Sequence, residues 1–216
     1  MTSKEKALSE KAVLITDRLK ERYSSECALE YQGEPWKLLV LARLSAQCTD
    51  KRVNIVAVPL FERYPTLESM AECDIQELEN IIKPCGLYRM KAKDIKESCR
   101  TLIEKYNGVV PDNMDDLLTL SGVGRKIANL LLGDIYGLPA IVADTHCIRI
   151  SGRLGFTSEK EKNPLKVEKA LKKYVPEEEQ SDFCHRIVQF GREVCSARSP
   201  MCENCFLSDL CEYNKN

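Results

Sequence analysis

The chain has 216 residues, of which 44% are hydrophobic and 30% charged, a composition that allows a buried core without disulfides and excludes a mainly disordered chain. With 32 basic residues against 33 acidic, the net charge is -1, so overall charge argues neither for nor against a nucleic-acid partner. Aromatic residues make up only 6%, and no long alternating run of Val, Ile and Thr occurs, which predicts an all-α protein.

The N-terminal stretch carries a charge every few residues and has no apolar core of a signal sequence. The run IYGLPAIVA is too short to span a bilayer. No membrane partner is expected, and the expected location is the cytoplasm, where thiols stay reduced, so the 11 cysteines are not read as disulfides.

Residues 4–23 read as an amphipathic helix with Ala7, Val13, Leu14 and Leu19 among charged residues. After Gly33-Glu34-Pro35 comes Trp36-Lys-Leu-Leu-Val-Leu-Ala-Arg-Leu, apolar on most sides and expected to be a buried helix. Pro59, Pro65, Pro84 and Pro111 punctuate short segments of helical period. The segment Asp-Asn-Met-Asp-Asp-Leu-Leu after Pro111 predicts a capped helix start. The segment 62–80 is acidic, whereas residues 149–173 carry eight Lys or Arg against three Glu, a local basic excess that suits either a solvated face or a polyanion.

Residues 117–134 read LLTLSGVGRKIANLLLGD. Leu117, Leu118 and Leu120 are expected to end one helix, Ser121-Gly122-Val123-Gly124 to turn sharply, and Arg125 and Lys126 to open the next helix. Backbone amides at such a turn suit a phosphate oxygen. Gly-x-Gly alone describes an ordinary helical corner equally well; its placement, with Arg-Lys following, also fits a helix–hairpin–helix that grips a DNA backbone. Lys126 falls near the positive end of a helix dipole, which disfavours an ammonium, and partial burial would add to that. It is therefore either a nucleophilic amine or, as position alone favours, a phosphate contact. Eighteen residues later Asp144 follows the apolar run Ile141-Val142-Ala143 and reads as the N-cap of a helix containing Cys147, Ile148 and Ile150. His146 and His185, the only histidines, lack metal-like partners and are read as structural or DNA-backbone contacts.

Cys195, Cys202, Cys205 and Cys211 form C-x6-C-x2-C-x5-C within the last 22 residues. Four thiols this dense in a reducing environment call for a metal. A single close pair with irregular flanking spacings fits a four-iron cluster better than zinc, which remains the second choice. A cluster would crosslink a loop too polar to fold alone and fix Arg192 and Arg198 beside it. Cysteines 27, 48, 73, 85, 99, 147 and 184 are dispersed and read as packing residues.

Taken together, LSAQCTD (44–50), CGLYRMKA (85–92), LSGVGRKIAN (120–129) with VADTH (142–146), and the terminal cysteines resemble the endonuclease III family, the iron–sulfur branch of the helix–hairpin–helix DNA glycosylases, over about residues 30–213. The resemblance implies two helical lobes with a DNA-binding cleft between them. One lobe would be a six-helix barrel with the helix–hairpin–helix at 25–138; the other, 1–24 with 139–216, would carry a 4Fe-4S cluster on Cys195, Cys202, Cys205 and Cys211.

It also implies a monomeric glycosylase with AP lyase activity on oxidised pyrimidines, acting on double-stranded DNA with damaged bases or abasic sites, in the cytoplasm and associated with the nucleoid if bacterial. Lys126 would be the nucleophile and Asp144 the catalytic carboxylate. Gln47 and Leu87 would fill the gap left by the extruded base. Gly122, Val123, Gly124, Arg125 and His146 would contact DNA. The chain departs from the family pattern at Ser121, where many relatives have Pro, which would loosen the turn, and at Cys48, where Ala is common. Two alternatives are an adenine–mismatch glycosylase, against which Lys126 and the chain's end soon after the cysteines speak, and a non-enzymatic hairpin DNA-binding protein, against which Lys126 and Asp144 together speak.

Overall fold

The computed structural model describes residues 2–213, and all regular structure among them is helical. The first helix, α1 (Ser3–Lys20), starts at a capping box in which Thr2 accepts from the Glu5 amide and the Glu5 carboxylate accepts from the Thr2 amide. Its inward face is Ala12, Ile15, Thr16 and Leu19. Of the apolar residues read as its stripe, only Leu19 faces inward; Ala7, Val13 and Leu14 are exposed. Hydrophobicity alone misjudged the face because apolar residues occur on both sides of this helix.

Seven helices follow. Pro35 opens α2 (Pro35–Leu44), where its missing N–H costs nothing, and every residue from Trp36 to Leu44 is buried. Thr49 caps α3 (Asp50–Arg63). Pro59 was expected to break this segment but lies inside it, between the outward-facing Ile55 and Val58 and the buried Leu60. Proline forfeits one backbone bond there, and packing of Val53, Val56, Ala57 and Leu60 sustains the helix through it. Thr66 caps α4 (Leu67–Ala71), and Asp74 caps α5 (Ile75–Ile82). A 3-10 turn (Lys83–Cys85) leads into the long α6 (Tyr88–Tyr106), which stops at left-handed Asn107 and Gly108. Asn113 caps the single turn α7 (Met114–Leu117), and α8 (Arg125–Tyr136) follows the glycine turn.

Asp144 caps α9 (Thr145–Arg153), Asn163 caps α10 (Pro164–Tyr174), and α11 (Gln180–Glu193) runs into a terminal loop with two 3-10 turns, Cys202–Asn204 and Ser208–Leu210.

The chain divides into two units, Cys27–Tyr136 and Met1–Glu26 with Gly137–Asn216. In the first, the apolar α2 packs against α3, α6 and α8, and α6 covers α4 and α5. In the second, α1 packs on α10 and α11, and α9 on α10 and α11, around Ile15, Leu19, Cys147, Ile150, Phe183 and Phe190. Cysteines 73, 85, 99, 147 and 184 are buried as packing residues in the two cores.

Candidate functional site

The glycine turn is anchored from below. Arg43 on α2 donates through Nε and NH2 to Asp94 Oδ2 at 2.8 and 2.6 Å, and Ser121 Oγ donates to Asp94 Oδ1 at 2.9 Å. Ser98 Oγ in turn donates to the Ser121 carbonyl at 2.7 Å. Ser121 therefore does not loosen the turn. Its hydroxyl and carbonyl tie the turn to α6, an attachment through the hydroxyl that proline could not make.

Gly122 adopts φ +71°, and a Cβ there would lie 2.5 Å from Arg43 Nε and 2.7 Å from Asp94 Oδ2. Only glycine fits above that ion pair. Gly124 has no heavy atom within 4 Å of an added Cβ, so its space faces outward. Leu120 and Val123 are buried and pin the turn to the core. The helix expected to end at Leu117, Leu118 and Leu120 is a single turn ending at Leu117, and the Leu120 amide still donates to the Leu117 carbonyl at 3.2 Å as the chain enters the turn. Helix α8 begins at Arg125, and its first helical bond runs from the Ala128 amide to the Gly124 carbonyl at 3.0 Å. The amides of this opening turn form the positive end of the helix. Arg125 and Lys126 are exposed on it, so the partial burial expected for Lys126 is absent.

Two further loops of the same unit carry Gln47 and Leu87. Both are exposed, and both have left-handed backbones, with φ +55° and +49°. Such conformations cost a non-glycine residue about 1–2 kcal/mol and persist only where the surroundings impose them. They turn each side chain out of the run of the adjoining helix, Gln47 between α2 and α3 and Leu87 at the start of α6.

In the other unit, Asp144 accepts from the Cys147 amide at 2.7 Å, as its sequence position predicts, and its own amide donates to the Val142 carbonyl. Its carboxylate lies at the positive end of α9, where a negative charge is favoured. His146 is half-buried, with Nδ1 3.2 Å from Arg149 NH2. Arg149 continues to the carbonyls of Gly191 and Cys195 at 3.2 and 2.9 Å. At the far end of α9, Arg153 donates to Cys195 Sγ at 3.2 Å, Ser196 O at 2.7 Å and Ala197 O at 3.0 Å. Cys211 Sγ donates to the Arg153 carbonyl, and the Glu212 amide bonds the same oxygen.

The basic run 149–173 therefore does not form one free cationic face. Arg149 and Arg153 serve the terminal loop; Lys166, Lys172 and Lys173 pair with Glu161, Glu168 and Glu5.

The four terminal cysteines are half-buried and line one hollow, partly open to solvent, together with Ile150, Leu154, Phe190 and Leu207. The Met201 amide closes the loop onto the Val194 carbonyl at 3.0 Å. Burial raises the Cys205 thiol, and negative charge on Cys195, Cys211 and Cys202 raises it further. Four thiols around one hollow, with a guanidinium on one sulfur, fit a thiolate-bound cluster, in which iron would neutralise the mutual repulsion of the thiolates. Arg198, expected to be fixed beside the cluster, is exposed.

Residues 40–177 match the profile of the HhH-GPD superfamily of base excision DNA repair proteins, and residues 195–211 match the iron–sulfur binding domain of endonuclease III. The chain is 45% identical over 195 residues to endonuclease III of Synechocystis, covering 89% of this chain and 88% of that protein. It is 38% identical over 205 residues to endonuclease III of Escherichia coli, covering 95% and 96%.

The chain belongs to the endonuclease III family.

Among solved structures, a non-covalent endonuclease III–DNA complex superposes with a TM-score of 0.88 at 42% identity, covering 96% of both chains. A trapped covalent endonuclease III–DNA intermediate gives 0.84 at 43% identity, covering 100% of this chain and 98% of that one. Endonuclease III proteins are DNA glycosylases with AP lyase activity, and that is the enzyme class of this chain, with a 4Fe-4S cluster as its cofactor and DNA as its partner. Membership favours this class over an adenine–mismatch glycosylase or a non-enzymatic hairpin protein. Among the described residues, no helix is long and apolar enough to cross a membrane.

Sequence reasoning missed Arg43, Asp94 and Lys91. Arg43 is one of two cations, with Lys37, in an otherwise apolar helix, and Lys91 stands in the stripe of Ala92, Ile95, Cys99 and Leu102. A charge on an apolar face was the available signal.

Proposed function

We propose that this chain excises oxidised pyrimidines from duplex DNA and then cleaves the strand by β-elimination, acting as a monomer in the cytoplasm. Lys126 Nζ attacks C1′ of the extruded nucleotide, the N-glycosidic bond breaks, and the base departs with its bonding electrons and takes up a proton. Opening of the sugar leaves an iminium between Nζ and C1′. That cation acidifies the C2′ proton; its loss expels the 3′ phosphate, and water releases the amine. Positive charge develops on the sugar as the base leaves, and the Asp144 carboxylate stabilises it electrostatically. The turn amides around Gly122, Val123 and Gly124, with Arg125, hold backbone phosphates, and His146 adds a contact. Gln47 and Leu87 occupy the stack vacated by the extruded base. Cys195, Cys202, Cys205 and Cys211 would hold the cluster, which when bound would supply a rigid crosslink for the terminal loop.

The observation that carries this reading is an exposed lysine on the opening turn of α8, directly after an anchored glycine turn, in a member of a lyase family. Borohydride reduction during reaction with duplexes carrying thymine glycol, dihydrouracil, an abasic site, or adenine opposite 8-oxoguanine tests it. The expected result is a covalent adduct with the first three and little with the fourth. Excision of the adenine without an adduct would overturn it.

A further inference from the structure

Lys91 lies on α6 and is fully buried, with 0% of its surface exposed. Its ammonium donates to two carbonyls at 2.8 Å: that of Leu44, the last residue of α2, and that of Cys85, the last residue of the 3-10 turn. Its backbone amide donates to the Leu87 carbonyl at 3.0 Å. One residue therefore grips both chain segments that turn into left-handed conformations, three residues before Gln47 and two before Leu87.

A buried ammonium is expensive, and burial pushes Lys91 down from its ordinary basicity. The fold spends no carboxylate on it; two carbonyls at element ends, which have no helical partner of their own, receive it instead. An apolar side chain would fill the same volume at less cost in desolvation, so filling space does not explain a lysine here. What a lysine adds is a fixed spacing between two backbone oxygens that belong to different loops.

We propose that Lys91 is a positioning residue for base extrusion: it sets the separation of the Gln47 and Leu87 loops so that both side chains enter the duplex in register. This rests on the reading that Gln47 and Leu87 fill the vacated stack. Lys91 touches neither substrate nor reacting atoms, so it acts on the step that empties the stack and not on the chemistry at C1′.

The test uses the cluster-loaded enzyme with Lys91→Met and Lys91→Gln, beside the double variant Gln47→Ala with Leu87→Ala. Extrusion is read from the fluorescence of 2-aminopurine placed opposite the lesion, and chemistry from single-turnover excision and from borohydride crosslinking to a preformed abasic site. Lys91→Met is expected to slow excision of a paired lesion about tenfold or more and to blunt the fluorescence rise, because a displacement of about 1 Å far from the chemistry has effects of that size. Crosslinking at the abasic site should stay within about threefold of the parent, since no base has to be extruded there. Lys91→Gln, which keeps a donor on a shorter arm, should fall between. Adding Lys91→Met to the double variant should change little, because the three act through one step.

If the double variant loses extrusion while both Lys91 variants retain it, the proposal fails and the reading of Gln47 and Leu87 stands. If the double variant extrudes normally, that reading fails and the proposal with it. Equal loss on paired lesions and abasic sites, or failure of both Lys91 variants to fold, assigns Lys91 to general stability and overturns the proposal.

Discussion

Arg153 and Cys195 meet as guanidinium and sulfur at 3.2 Å, from opposite ends of a stretch of more than forty residues. Arg153 closes a helix whose other end is capped by Asp144. The loop that would hold iron and the helix that carries the candidate carboxylate are thus one mechanical piece, and losing the metal would free the cysteine sulfurs while Arg149 and Arg153 still held the loop carbonyls.

Iron analysis of the purified protein should show iron and no stoichiometric zinc, with the broad visible absorbance of thiolate-bound clusters. Cys202→Ser should lose that band and lower the melting temperature, and the material that remains folded should keep a measurable share of its lyase activity. Full activity and an unchanged melting temperature in a colourless variant would remove the structural role.

The two turn glycines should separate. Gly122→Ala meets the Arg43–Asp94 pair and a positive φ, so it should destabilise the protein by about 1–3 kcal/mol, read as a shift of the urea midpoint. Gly124→Ala has room, so stability should change by less than about 1 kcal/mol while affinity for duplex falls through blocked approach of the phosphate backbone. Unchanged affinity in Gly124→Ala would take the turn out of the interface.

Lys126→Gln should abolish borohydride adducts and strand cleavage yet leave binding to damaged duplex within about tenfold, because one phosphate contact among several is lost. Asp144→Asn keeps a side-chain oxygen for the Cys147 amide and removes only the charge. It should slow base excision by roughly two or three orders of magnitude while retaining more activity on a preformed abasic site. Normal excision by Asp144→Asn, with unfolding of Asp144→Ala, would reduce Asp144 to a helix cap.

Acid stability carries a local signature. The Arg63 guanidinium, and then the Tyr64 hydroxyl, hold the Glu77 carboxyl below its usual range, bridging α3 to α5. A carboxyl lowered in the folded state adds stability above its unfolded value, and that contribution disappears as pH falls through the folded one. Glu77→Gln should therefore lower the denaturant midpoint at neutral pH and match the parent in strong acid. A constant difference across that range would exclude the ion pair as its source.

Much of this was legible in the residues. The cap at Asp144 follows from a carboxylate before an apolar helix, and the buried α2 from a run apolar on most sides despite Lys37 and Arg43. The cysteine spacing announced a metal. What stayed hidden depends on partners distant in sequence. Nothing near Ser121 shows that Asp94 receives its hydroxyl, and nothing in the run 149–173 shows that Arg149 and Arg153 turn inward to carbonyls of the last loop. Pro59 inside α3 was hidden for the same reason: packing from other helices overrides a local breaker.

The cysteine-bearing unit is assembled from both ends of the chain. Arg18 on α1 reaches Asp209 and the Phe206 carbonyl, and Lys11 reaches Glu212. During synthesis α1 emerges before the middle unit and its partners α10, α11 and the terminal loop after it, so Ile15 and Leu19 wait uncovered until those later segments emerge. The middle unit, Cys27–Tyr136, is complete long before and folds as nascent chain. Opening of the terminal loop would therefore take the partners of Lys11 and Arg18 away while α10 and α11 still cover Ile15 and Leu19.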